Sequence, residues 1–361
     1  MNPQFQLPRL GTGRAMSPAF TLVELLVSMV VLSIIMVVSA SFVTQMQRTW
    51  TQSTSRIEQF REARMAFETI TQSLRQATLN PYLAYRYNTG ATPTVPATQA
   101  EAPLAYLRHS ELQFVTGESQ SLLQAPTAGA LVSHGLFFQA PVGVTERPGY
   151  EALNRLLCAR GYFVLHGNDD AYRPAHVATA RTRFRLWEFR PPAERNAVYT
   201  AASWFDQAAK ETVSTSESAE QLSSSRPVAE NIIALILSPQ VTESDATLSK
   251  KVASWIAPDY SYNSRNVVGA TGTNPQGFQH LLPPVVRVTL VAIDESSAAR
   301  LADGASGSMP ELLAEGAFKD CNNYQKDLEE LEAKLVAEKV NYRVFSAAVP
   351  LRSSKWNLIP Q

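Results

Sequence analysis

Ala19-Phe20-Thr21-Leu22-Val23-Glu24-Leu25-Leu26 decides how this chain is read. From Phe20 the sequence runs apolar to Val43, with Glu24 as its one charge. Coiled as an α-helix, that run rises roughly 36 Å, enough to cross a bilayer core. A carboxylate inside such a span is costly unless it meets a partner. Cleavage between Ala19 and Phe20 would supply one. It frees an α-amino group about one helical turn before Glu24, and amine and carboxylate can then neutralise each other within one chain or between neighbours. A plain signal anchor explains the apolar run but not Glu24. A secretory signal cut after Val38-Ser39-Ala40 would need an apolar region of unusual length with an acid inside it. Charge bias does not orient the span, because Arg9 and Arg14 precede it while Arg48, Arg56 and Arg61 follow closely.

Beyond the span the helix is expected to continue. No Pro or Gly occurs from Thr44 to Leu79. Trp50, Ile57, Phe60, Ala63, Phe67, Ile70, Leu74 and Ala77 recur at helical spacing and form one apolar stripe. Arg48, Arg56, Glu58, Arg61, Glu62, Arg64, Glu68 and Arg75 take the other faces. Asn80-Pro81 is the predicted stop. A helix over residues 20–79 spans on the order of 90 Å, greasy all round in its first half (20–43, transmembrane) and amphipathic in its second. The stripe is expected to dock on the chain's own globular part.

Residues 80–361 read as that globular part. Thr89–Pro103 is a loop rich in Pro and small residues. Strand-like runs follow at Leu104–Leu107, Leu112–Thr116, Leu136–Gln139, Gly161–Leu165 and Phe184–Phe189, the last alternating as a half-buried strand does. Glu211–Pro227 is a Ser/Thr-rich surface segment. Asn231–Leu237, Val285–Ile293 and Asn341–Val349 are further strands, the second opened by Pro283-Pro284. An inserted helix at about 322–339 carries Tyr324, Leu328, Leu331 and Leu335 on one face, with Glu330 and Lys334 as a supporting pair. Strands without a helix regularly between them predict an antiparallel sheet. The fold class is therefore α+β.

Composition narrows the function. The chain has 361 residues, and Lys+Arg equals Asp+Glu at 32 each. Without a basic excess it is a poor candidate for tracking phosphates, and no nucleic-acid partner is expected. Cys158 and Cys321 are the only cysteines. Outside the cytoplasm they can pair; the alternative is two buried thiols. The histidines His109, His134, His166, His176 and His280 show no metal-ligand spacing, and His-Glu-x-x-His is missing. His166-Gly167-Asn168-Asp169-Asp170 lacks the acid alternation of a calcium loop and reads as a turn. Asp303–Ser308 reads likewise. Neither a phosphate-binding glycine loop nor Gly-x-Ser-x-Gly is present. No nucleophile with its base is nominated, so the expectation is no enzyme, no metal and no cofactor.

The opening stretch resembles the type IV prepilins and the pseudopilins of type II secretion. Their signature is a short basic leader, a small residue, then Phe-Thr-Leu-x-Glu and an apolar helix. Arg9, Arg14, Ala19, Phe20-Thr21-Leu22-Val23-Glu24 and Leu25 onward supply it, with Ala19 where Gly is usual. Val228-Ala229-Glu230-Asn231-Ile232, Trp255 and Leu282-Pro283-Pro284-Val285-Val286-Arg287-Val288-Thr289-Leu290 are similar to segments of the larger minor pseudopilins of the J type. Tyr342-Arg343-Val344-Phe345-Ser346 to Pro350-Leu351-Arg352 is similar to the ending of the Verru_Chthon cassette C proteins. The resemblance implies a pilin-like fold: a long N-terminal helix packed on an antiparallel globular domain.

It also implies a leader over residues 1–19, removed by a prepilin peptidase, and N-methylation of Phe20. Glu24 would set register in a pilus or pseudopilus built with other such subunits. The chain would sit as a single span in the bacterial inner membrane, N-terminus cytoplasmic and globular part periplasmic. Two other functions are compatible with the sequence: a membrane-anchored periplasmic binding protein or enzyme that merely uses this anchor, and an adhesin or DNA-uptake pilin.

Overall fold

A computed structural model describes residues 21–87, 102–125, 129–150, 152–153, 155–170, 173, 176–177, 179–210, 224–272, 274–304, 309–313 and 316–354. The predicted leader, most of the 89–103 loop, residues 211–223 and residues 305–308 lie outside it. The chain divides into two units, one to Ser55 and one from Arg56 to Gln361. The long helix α1 (Leu22–Leu74) contributes to both.

In the first unit, residues 22–47 form an apolar helix in which the span-forming window has no buried side chain. Trp50 is exposed too, at 74%, so the stripe does not begin there as expected. The side chain of Ile57 lies outside the description.

In the second unit the stripe is real. Ala63, Ala66, Ile70 and Leu74 are buried, and Phe60 and Phe67 pack against the core. The helix stops at Leu74, five residues before the expected Leu79. Gln76 and Ala77 donate back to the Ser73 and Leu74 carbonyls at 3.0 Å, a tightened last turn. Thr78 N–H then leaves for the Gln139 carbonyl (2.9 Å), and Asn80 has φ 44°. The chain is captured by a strand before Pro81 can end the helix.

The strands form three antiparallel sheets. β1 (Tyr82–Arg86) pairs with β2 (Ala105–His109) as a ribbon. The main sheet contains β3 (Val115–Glu118), β4 (Gly129–Pro141), β5 (Leu157–Gly167), β6 (Arg183–Phe189), β7 (Ser225–Glu230) and the short β9 (Tyr262–Asn263). Its order is β7-β6-β5-β4-β3-β9. The third sheet has order β11-β10-β8, with β8 (Ile232–Gln240), β10 (Val285–Ile293) and β11 (Tyr342–Pro350). The helices are α2 (Ser119–Leu122), α3 (Glu243–Ser249), α4 (Glu295–Gly304) and α5 (Tyr324–Ala337). The fold is α+β, as expected, and the inserted helix is α5. The Asp303-Gly304 pair, expected in a turn, closes α4 instead.

Asn231 alone separates β7 from β8. Its φ of 60° is the left-handed conformation that Asn tolerates, and the chain there steps from one sheet to another. Asn231 N–H donates to Phe184 O (2.7 Å) and its carbonyl accepts from Ile293 N–H (2.9 Å), so both sheets hold the corner. β7 itself occupies the end of the expected surface segment.

β6 is buried along its whole length, not half-buried. Its charges are neutralised inside. Glu188 accepts from Arg160, Tyr162 and Arg226, and Arg185 pairs with Glu230 (3.1 Å) and bonds Gly167 O (2.9 Å). On the face opposite Glu188, Phe137 stacks on Phe205 (4.9 Å between ring centroids) and meets Phe189 and Trp204 edge-on. Gly161 makes room for that ring, since a Cβ there would overlap Phe137.

Candidate processing and assembly site

The expected cut between Ala19 and Phe20 lies outside the described residues, which begin one residue later. Thr21 has the role of an N-cap. Its carbonyl accepts from Leu25 N–H (3.2 Å) and its Oγ1 accepts from Glu24 N–H (3.3 Å). Thr21-Leu22-Val23-Glu24 thus has the spacing of a capping box, a signal that the apolar run had overshadowed. Glu24 occupies the first turn, where the partial positive charge of the helix start favours a carboxylate. The acid is therefore at home electrostatically at the helix end and foreign to the greasy segment that follows.

Four hydroxyls along that segment bond back to their own helix. Ser28 donates to Leu25 O (2.8 Å), Ser33 to Met29 O (2.7 Å), Ser41 to Val37 O (2.8 Å) and Thr44 to Ala40 O (2.9 Å). A hydroxyl bonded to its own helix needs no water, as a lipid-facing surface requires. Leu22, Leu25, Leu26, Met29, Leu32 and Ile35 are all more than half exposed. By length and composition Leu22–Gln47 is able to cross a membrane.

The globular unit offers no comparable chemistry among the described residues, where no three His, Cys, Asp or Glu side chains gather as metal ligands. His109 and His280 come closest, with rings 4.9 Å apart. Burial first, then the His109, Arg108 and Arg265 charges, push His280 down to about 4. Asp169, in the expected turn, is buried and holds arginines: it accepts from Arg181 N–H (2.8 Å) and lies 3.8 Å from Arg185.

His134 is the histidine that the fold uses. It sits at the bulge of β4, beside Ser133 with φ 53°. Leu235 and Leu237 N–H, on the edge of β8, donate to Ser133 Oγ (3.0 Å) and His134 Nδ1 (3.1 Å). His134 Nε2–H donates to Phe318 O (3.1 Å). Both ring nitrogens are thereby committed to the neutral form, and burial pushes its pKa down to about 4.

Cys158 and Cys321 are buried and free, so the pairing that the sequence allowed is not made. Cys158 Sγ accepts from Val144 N–H (3.3 Å), and Cys321 Sγ donates to Ala257 O (3.1 Å). Each thiol is enclosed by its own neighbours, one at the start of β5 and one beside β8.

No curated protein and no solved structure matches the chain. One family model does, that of the prokaryotic N-terminal methylation motif, over residues 15–40. Thr21, Glu24 and most of the apolar helix lie inside it; the chain carries a prepilin-like N-terminus.

Proposed function

We propose that this chain is a minor pilin or pseudopilin, a structural subunit whose work is assembly, not catalysis. A prepilin peptidase removes residues 1–19, and Phe20 becomes the N-methylated first residue. Methylation leaves the amine charged, so it still opposes Glu24. The mature chain waits in the inner membrane as a single span with its globular part in the periplasm. It is then drawn, helix against helix, into a type IV pilus or a type II secretion-like pseudopilus. Globular domains as bulky as residues 80–361 suit a minor component better than a repeating shaft subunit. The J-type minor pseudopilins and the Verru_Chthon cassette C proteins are the relatives that the later motifs favour.

The observation that carries this reading is one coincidence. The methylation motif falls on a helix start where Thr21 caps the chain and Glu24 is the only acid of an exposed apolar span. A carboxylate left unpaired in lipid penalises misassembly. Pairing with the Phe20 amine of a neighbour relieves it. Glu24→Ala is expected to be processed at the wild-type rate yet absent from sheared filaments or pseudopili. Incorporation of that variant at the wild-type level would overturn the role of Glu24.

A further inference from the structure

The outer edge of β11 is open, and the other outer edges of the main and third sheets show that openness to be unusual. β7, at one end of the main sheet, is blunted by Pro227, by a register shift opposite Leu186 and Trp187, and by Glu62, which takes the Glu230 N–H. β9, at the other end, is two residues long. β8 has the Ser133 and His134 side chains on two of its edge N–H groups. β11 has none of these devices. It runs nine residues, pairs with β10 in unbroken register from Tyr342 to Pro350, and among the described residues no strand lies beyond it. Proline appears only at its last position, and Arg343 is its one charge. The Arg343 guanidinium is folded back over Phe345, 5.5 Å from the ring centroid, and does not guard the edge.

We infer that β11 is an interface strand, and that its partner is β11 of a second copy, added antiparallel about Ser346. The sequence of the strand is complementary to itself in that register. Ser346 meets Ser346. Val344 faces Ala348 and Phe345 faces Ala347, a large side chain against a small one in each case. The single charge avoids its mate: Arg343 faces Val349, about 20 Å along the strand from the other Arg343. Tyr342 falls opposite Pro350, where pairing ends. Main-chain hydrogen bonds give such strand addition its affinity, and side-chain alternation sets its register. The contact is isologous, so it closes at two copies and cannot propagate a filament. This inference stands independently of the prepilin reading.

Cysteine cross-linking of the full-length chain, in membranes and in mild detergent, tests it. The native thiols are buried and provide little background. Directly opposed residues have Cβ atoms about 4.5–5.5 Å apart, within reach of a disulfide. Under mild oxidant Ser346→Cys is expected to give a covalent homodimer as its main product, and Arg343→Cys at least ten times less. Co-expressed Val344→Cys and Ala348→Cys chains should cross-link to each other and not to themselves, which gives a second reading if Ser346→Cys fails to accumulate. Equal yields at 343 and 346, or a Val344→Cys chain that joins itself as readily as Ala348→Cys, would overturn the register. Capture of Ser346→Cys at a mass other than twice the chain would overturn self-pairing and give the edge to a different protein.

Discussion

At the scale of single residues, Glu24 and Thr21 separate two effects that share one turn of helix. Thr21 works through geometry, holding the first N–H groups; Glu24 works through charge. Glu24→Gln keeps the shape and the hydrogen-bonding capacity of the first turn but removes the charge, so it should assemble as poorly as Glu24→Ala in an assay of sheared surface filaments. Thr21→Ala forfeits only a cap, about 1 kcal/mol, and should assemble at reduced yield. If Glu24→Gln assembled normally and Thr21→Ala did not, capping rather than charge would be the function of this turn.

His134 is a residue-scale staple of another kind. His134→Ala strands Leu237 N–H and Phe318 O inside the protein and leaves a cavity. That should cost roughly 2–4 kcal/mol, read as a lowered urea midpoint of tryptophan fluorescence. Its pKa is depressed on folding, from an ordinary value of about 6.5 to about 4. The unfolded chain therefore binds the proton more readily between these values, and stability falls as the pH falls through that window. The contribution of His134, on the order of 3 kcal/mol, is complete above about pH 6.5 and is lost on approach to pH 4. A urea midpoint that did not move between pH 7 and pH 4.5 in the wild type would contradict this. So would the same pH slope in His134→Ala as in the wild type.

At the scale of elements, the tight place in the main sheet is where β4 and β5 cross the aromatic cluster. Gly161→Ala would press a Cβ into the Phe137 ring and should cost about 1–3 kcal/mol, measured by the same midpoint; no change would mean that the ring has room to move. Elements specified by local pattern were the legible ones. β10 was bounded correctly from Pro283-Pro284 and its β-branched run. α5 is two residues shorter at each end than the expected 322–339. β1 and β7 were hidden because their partners, not their own residues, make them strands: β7 contains Pro227 and borders a Ser/Thr-rich stretch, yet β6 holds it in register. β6 misled in the opposite direction. Arg185 and Glu188 look like a solvated face, but their counter-charges arrive from Glu230, Arg160 and Arg226, on other strands. The end of α1 was overestimated for the same reason, since Gln139, far along the chain, takes the Thr78 N–H.

At the scale of the whole molecule, the apolar helix and the methylation motif at its start were legible, because they are local. A lone acid, a small residue before an aromatic one, and an unbroken apolar helix are all contiguous in the sequence, and residues 15–40 match the methylation motif. Thr21 as the cap of that helix was the part missed, although Thr-x-x-Glu was there to be seen. Proteolysis that creates a positive terminus beside Glu24 leaves its mark at one covalent end. Intact-mass and N-terminal sequence analysis of the protein recovered from cell membranes tests it most directly. The expected product is a chain that begins with N-methylphenylalanine at residue 20. A protein that retains residues 1–19, or that begins at Ser41 after a secretory cut, would contradict it.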